Sequence, residues 1–360
     1  MSGEPVRRTW AARSTERRGT PATGGPTMAV SDTVPTAPAG TTPTWAAERR
    51  GKGERSLLPP GRPTSYYGRP VIKPPPWEPL IPAYFFFGGL AGASAALAGG
   101  ARLAGNGPLE RRAWAVSLAG LAVSPPLLIA DLGRPERFLN MLRVFKVTSP
   151  MSVGSWLLGA STAAVATAAF SAFTGRVPRV GAAAATPAPV LGALLATYTG
   201  GLLADTAVPA WHEARRVLPF VFAGGAMASA GGAGVLLTPP GDAGPARRLV
   251  VAGAALETVA GRVMEHRLGE LAAPYRSGAP RRLARAAMAA ALGGAALAGP
   301  ARDGTPGRRR RALAVAGGAL AMAASALERF AVFEAGLASA RDPDATIAPQ
   351  RARLAALGSR

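Results

Sequence analysis

The chain contains no cysteine and only two histidines, His212 and His266. Without cysteine it can form no disulfide, no iron–sulfur cluster and no thiolate metal site of its own. Two histidines cannot supply the two axial ligand pairs that a cytochrome b type of anchor needs for its haems. Acids are scarce too: 20 Asp and Glu stand against 41 Lys and Arg, a formal net charge of +21. That balance raises nucleic acid as a partner. The placement of the arginines argues against it, because they cluster between apolar runs. Loop charges of a multi-pass membrane protein sit in just such places.

What is abundant is apolar. Hydrophobic residues make up 48% of the chain and charged ones 17%, with 45 Gly and 34 Pro. Most of the Gly lies inside long Ala/Leu/Val runs, where membrane helices tolerate it. Residues 1–75 instead form a basic arm rich in Arg, Pro, Thr and Gly, with no apolar period. That composition predicts disorder. Residues 76–338 read as a multi-pass transmembrane domain and 339–360 as a charged, unpatterned tail. Spans are expected near 80–104, 113–131, 151–174, 188–208, 217–238, 246–264, 283–299 and 312–338. Each is close to the roughly 20 residues that cross a hydrocarbon core. The run 246–264 is the weakest, because it carries Glu257 and Arg262. The fold class expected is all-α: an integral membrane bundle of about eight transmembrane helices with a disordered N-terminal arm. In the first span Gly88, Gly92, Ala96 and Gly100 repeat every four residues. Such a small-residue stripe lets a second helix approach closely. The distribution of Lys and Arg over the connections favours both termini in the cytoplasm.

The most specific local pattern joins the second and third spans. An apolar run ends on Asp131, and Leu132-Gly133-Arg134-Pro135 breaks it. Gly can take a left-handed C-cap and Pro cannot continue the helix. Pro135 can open a short helix with Glu136 in its first turn. Phe138, Leu139, Leu142 and Phe145 share one face of 135–146, with Arg137, Arg143 and Lys146 at its edge, as in a helix lying in the interface. Ser149 and Pro150 suit the cap and first residue of the next span. The fourth span ends in a similar way, with Asp205 and then Pro209. In both runs a Pro stands four residues after the Asp and cannot donate to its carbonyl. We read the two corners as a weak parallel repeat that brings both acids to one membrane face. Ionisable groups at such depth are functional candidates. For Asp131 the alternative is an ion pair with Arg134 or Arg137 that merely holds the corner. His212, Glu213 and Glu257 join Asp205 as a candidate polar group near the surface.

Four segments together resemble the NrfD/PsrC family: 77–92 (WEPLIPAYFFFGGLAG), 131–138 (DLGRPERF), 140–156 (NMLRVFKVTSPMSVGSW) and 204–225 (ADTAVPAWHEARRVLPFVFAGG). These proteins are the membrane subunits of polysulfide reductase-like and formate dehydrogenase-like complexes. The resemblance covers roughly residues 66–335, with 131–156 its most specific part, and the last third shares only hydropathy. It implies a bacterial membrane subunit of eight helices with no haem, iron–sulfur cluster or metal of its own. It also implies menaquinone or ubiquinone bound as substrate near one face. The partners implied are a ferredoxin-like iron–sulfur subunit and a molybdopterin catalytic subunit. Carried over by position, Glu78, Tyr84, Asp131 and Arg134 are the candidates for the quinone pocket, and Asp131, Asp205 and His212 for proton exchange. The first span holds no His, so no residue is assigned to the quinone oxygen. Two other readings stay open: a secondary transporter, which also shows broken helices and buried acids, and a passive anchor for soluble redox subunits.

Overall fold

The computed structural model describes residues 70–132, 134–299 and 307–358. The arm expected over 1–75 lies, as far as residue 69, outside the described residues, and so does the C-cap expected at Gly133. Nine helices of sixteen residues or more are described: α1 Leu80–Leu103, α2 Gly107–Asp131, α3 Pro150–Thr174, α4 Ala188–Ala204, α5 Leu218–Leu237, α6 Gly244–Leu268, α7 Gly278–Ala298, α8 Arg308–Arg341 and α9 Pro343–Gly358. There is no strand among the described residues. Six spans are long and apolar enough to cross a membrane: α1, α2, α3, α4 together with the short helix Pro178–Ala185 before it, α5, and α8. Helices α6 and α7 have 25 and 21 residues and pack in the same bundle, but carry more charge. The chain is an all-α integral membrane bundle built on these eight helices.

Local chemistry sets the ends. Asn106 caps α2 by accepting from the Leu109 N–H at 3.1 Å, and its Nδ2 donates to the Asp242 carbonyl at 2.9 Å. One side chain thereby ties the α1–α2 turn to the α5–α6 turn. Ser149 accepts from the Ser152 N–H at 3.4 Å and Pro150 follows as the first residue of α3, as expected. Gly175, at φ 68°, ends α3 in the left-handed conformation that glycine favours.

Between α2 and α3 the chain is helical only over Pro135–Arg137 and Phe138–Met141. The interfacial helix expected over 135–146 therefore stops early. Ser152 takes over instead: its Oγ donates to the Val144 carbonyl and accepts from the Lys146 N–H, both at 3.0 Å. The β-branched Val144 and Val147 also favour the helix less. The tail shows the opposite departure. Helix α8 continues to Arg341, and α9 is helical despite an internal Pro349. Pro343 suits a first helical position and alanines are frequent after it, so local propensity rather than an apolar period makes this helix.

Small residues govern the packing. Of the expected stripe only Gly92 makes a close approach. A methyl there would collide with the Gly192 carbonyl of α4 and lie 3.0 Å from the Ala196 nitrogen. Gly88 has only the Ser124 hydroxyl, at 3.8 Å, and Gly100 has nothing within 4 Å. Gly99, off the stripe, faces Pro189. The same device joins α5 to α6 at Gly224 and Gly253, and α7 to α8 at Gly294 and Gly317. Without a hydrophobic drive between helices in lipid, such contacts carry the association.

One face of the bundle gathers the corners. The Glu78 N–H donates to Asp131 Oδ1 at 2.9 Å, which joins the approach to α1 with the end of α2. The short helix Pro209–Glu213 lies against the end of α8, where the Ala210 N–H donates to Ser339 Oγ at 3.2 Å. Trp211 is its anchor. The indole donates to the Val332 carbonyl at 2.8 Å, lies across Gly336 and stacks on Trp77 at 5.8 Å.

Candidate functional site

A narrow pocket of about 60 Å³ opens at the Asp131 corner. The start of α1 supplies Trp77, Ile81, Tyr84 and Phe85, and the end of α2 supplies Leu128, Asp131 and Leu132. Met141 of the connector, the first turn of α3 and two residues of α4, Tyr198 and Leu202, close it. Its lining has the make-up of small-molecule sites, which combine mostly apolar walls with a few polar groups. The polar groups here are the Asp131 carboxylate and the hydroxyls of Tyr84, Tyr198 and Ser155, the last donating to the Met151 carbonyl.

Each is held by its own element. Asp131 is half-buried and bound to the Glu78 N–H, so the corner is fastened by a backbone donor. Among the described residues no ion pair joins it to Arg134. Tyr84 is buried at 3% exposure, with its ring 5.7 Å from that of Phe85. Tyr198 donates to the Pro150 carbonyl at 2.7 Å. That oxygen belongs to the first turn of α3, which ties α4 to α3. Gly154 makes room for the Tyr198 ring: a methyl there would fall on the phenol itself.

The expected site residues divide into two groups. Tyr84 and Asp131 line one pocket, and Glu78 reaches it through its N–H bond to Asp131. Arg134 is exposed and does not line it. Asp205, the C-cap of α4, is exposed. His212 is exposed and lines a separate groove of about 200 Å³ with Thr206, Glu213 and residues of α9. Glu257 joins neither group and lies deep between α6 and α8. Tyr198, Gly154 and Ser155 complete the pocket and were not singled out from the sequence. A lone tyrosine inside an Ala/Leu/Gly span was a readable signal for Tyr198, since polar groups there are costly unless bonded.

Residues 71–240 match the family model described as polysulphide reductase, NrfD. Over this stretch the chain is NrfD/PsrC-like. The family that this stretch resembles comprises membrane subunits of oxidoreductase complexes. A comparison with curated proteins found no match. The NrfD-like stretch takes in α1 to α5, and with them every residue that lines the Asp131 pocket. Helices α6 to α9 lie beyond it.

Proposed function

We propose that the chain exchanges electrons between an iron–sulfur partner subunit and the quinone pool, with menaquinone or ubiquinone as the bound substrate at the Asp131 pocket. The observation that carries this reading is the pocket's make-up: apolar walls from five segments around one carboxylate and two tyrosine hydroxyls. A quinone head group needs that combination. Its ring packs on apolar side chains, and its carbonyl oxygens accept from a hydroxyl donor, here Tyr84, since Tyr198 already donates to the Pro150 carbonyl. Reduction of a quinone to a quinol takes up two electrons and two protons. The electrons come from the partner's cluster. Asp131 is the group placed to hold a proton at the head, and exposed Asp205 and His212 at the same face exchange protons with water. The partner docks over the connector at 135–146, where Arg143 and Lys146 meet its acidic groups. A molybdopterin subunit of the formate dehydrogenase or polysulfide reductase kind then supplies or consumes the electrons. We assign this face to the cytoplasm of a bacterial cell, on the excess of Lys and Arg in its connections.

The test is Asp131→Asn in the assembled complex. The amide keeps the acceptor for the Glu78 N–H, so the corner survives, but it cannot carry the proton. Quinone-linked turnover should fall by about 10²–10⁴-fold, the usual worth of a general acid or base. Dye-linked activity of the soluble subunits should persist. Asp205→Asn should cost less, because that carboxylate is exposed. Unchanged quinone turnover in both variants, with normal assembly, refutes the proposal.

A further inference from the structure

A cluster of deeply buried charges lies beyond the NrfD-like stretch. Glu257 of α6 is 7% exposed, and Glu328 and Arg329 of α8 are 8% and 1% exposed. Arg329 is held firmly. Its Nη1 donates to Glu328 Oε2, its Nη2 donates to the Phe222 carbonyl at 2.7 Å, and its guanidinium lies 3.9 Å from the Phe222 ring centre. Two carboxylate oxygens are left over. Glu257 Oε2 and Glu328 Oε1 are buried with no hydrogen-bond partner. Both residues line one small pocket of about 70 Å³ between α6, α7 and α8.

The charges do not cancel. Two carboxylates and one guanidinium leave one negative charge, and an uncompensated charge in a low-dielectric interior is costly. Among the residues that line the pocket, Arg262 of α6 is the one further cation. Helix α5 presents Phe222 and Val221, α1 presents Gly89, and α7 presents alanines and Met288. The other arginine at the pocket, Arg262, points its Nη2 at the Met288 sulfur, 3.5 Å away. The remaining titratable groups there, Glu265 and Tyr275, stand toward the end of α6 and the short helix Ala273–Arg276 after it. Burial pushes the Tyr275 hydroxyl above the ordinary tyrosine range, and the charges of Glu328 and Glu265 add to the effect. It therefore stays a neutral hydroxyl, able to donate and to accept.

The pocket lining continues toward the end of α6, through Gly261, Met264 and Glu265 to Tyr275. Away from the α6 terminus, Gly253 packs on the backbone of Gly224 and Ala228, and Gly294 on Gly317 and Ala321. Toward α1, Phe222, Phe85 and Arg329 stand between this pocket and the one at Asp131, with the two phenyl rings 6.0 Å apart. We propose that Glu257 and Glu328 form a proton-exchange site inside the membrane, separate from the Asp131 pocket and loaded from the face at which α6 ends. One proton from water forms an O–H bond at Glu257 Oε2 or Glu328 Oε1 and leaves by the same route. No electron moves and no other bond changes. Arg329 keeps its protons throughout and fixes Glu328 in place. The site does not rest on the quinone reading, and its test needs neither quinone nor partner.

A hydrophobic carbodiimide such as dicyclohexylcarbodiimide reacts with a carboxyl that is both protonated and in apolar surroundings. The full chain, purified in lipid nanodiscs, is treated with it across a pH series, with and without sodium chloride, and the adduct is mapped by peptide mass. The expected result is one adduct per chain, on Glu257 or Glu328. Labelling should fall about tenfold per pH unit above its midpoint, as for loss of a single proton, with no effect of sodium. Glu265→Gln should label as the parent does, and Glu257→Gln should leave at most an adduct on Glu328. Absence of label on both residues, two adducts per chain, or protection by sodium overturns the proposal; the last would make this a metal-cation site. The mapping on the parent chain decides the matter even where a variant fails to fold.

Discussion

The pair Gly92→Ala and Gly100→Ala separates close helix packing from mere composition. Both glycines lie on α1, eight residues apart on the same stripe. By sequence the two changes are equivalent, and by structure they are not. At Gly92 the added methyl meets the Gly192 carbonyl and the Ala196 nitrogen, both backbone atoms that no rotamer change can move. Helices α1 and α4 must then part. Overpacking of this kind costs about 1–3 kcal/mol. Replacing a helical glycine returns about 0.5–1 kcal/mol of backbone entropy. The balance is a destabilisation of about 1 kcal/mol, or a fall of about 2–4 °C in the melting temperature of a chain of this size. At Gly100 nothing lies within 4 Å, so only the entropy gain remains and the midpoint should rise slightly. The assay is thermal unfolding of the purified chain in one detergent, followed by far-ultraviolet circular dichroism. Gly192→Ala should resemble Gly92→Ala. The double variant should lose less than the sum, because one separation of the helices relieves both clashes. Equal midpoints for the Gly92 and Gly100 variants would refute the reasoning.

Three further outcomes rest on single contacts. Trp211→Phe keeps an aromatic ring between Trp77 and Gly336 but loses the indole bond to the Val332 carbonyl, and should cost about 1 kcal/mol in the same melting assay. Arg311→Ala removes a guanidinium that donates to the carbonyls of Val235, Leu236 and Thr238 at the end of α5, at 3.0, 2.9 and 3.1 Å. A loss of about 1.5–3 kcal/mol is expected, and Arg311→Lys should recover only part of it, since an ammonium lacks the planar fork. Gly154→Ala forces the Tyr198 ring out of its seat. It should weaken quinone binding to the purified chain at least as much as Tyr198→Phe, which keeps the ring and loses only the bond to the Pro150 carbonyl, as read by titration with a fluorescence-quenching quinone analogue.

Much of the fold was legible because lipid imposes a blunt rule. A helix must be long and apolar to cross, so the boundaries at Asp131, Pro150 and Leu237 could be placed within a residue or so from runs and caps alone. The Asp131 corner was legible for the same reason: a charge at the end of an apolar run, followed by Pro, is a local signal. What escaped depends on partners distant in sequence. The stripe on α1 predicted four equivalent positions, but which one touches α4 is settled by where Gly192 sits a hundred residues later. Glu257 was grouped with Asp205 and His212 by its chemistry. Its true neighbours, Glu328 and Arg329, lie on α8, about seventy residues on, and no periodicity links them. The length and hydropathy of α4 carry no trace of Tyr198, whose bond to the Pro150 carbonyl joins positions 48 residues apart.

Helix α8 has 34 residues. At 1.5 Å per residue it is about 50 Å long, well beyond the roughly 30 Å of a hydrocarbon core. Three fastenings lie along it: Arg311 on the end of α5, Arg329 under Phe222, and Gly336 and Ser339 against the Trp211 helix. A continuous α-helix resists stretching, so these three points keep a fixed spacing. The helix is in effect a tie rod between the two surfaces of the membrane. A displacement of the Trp211 helix along the rod has to be matched at the far end of α5, and at the buried carboxylates between.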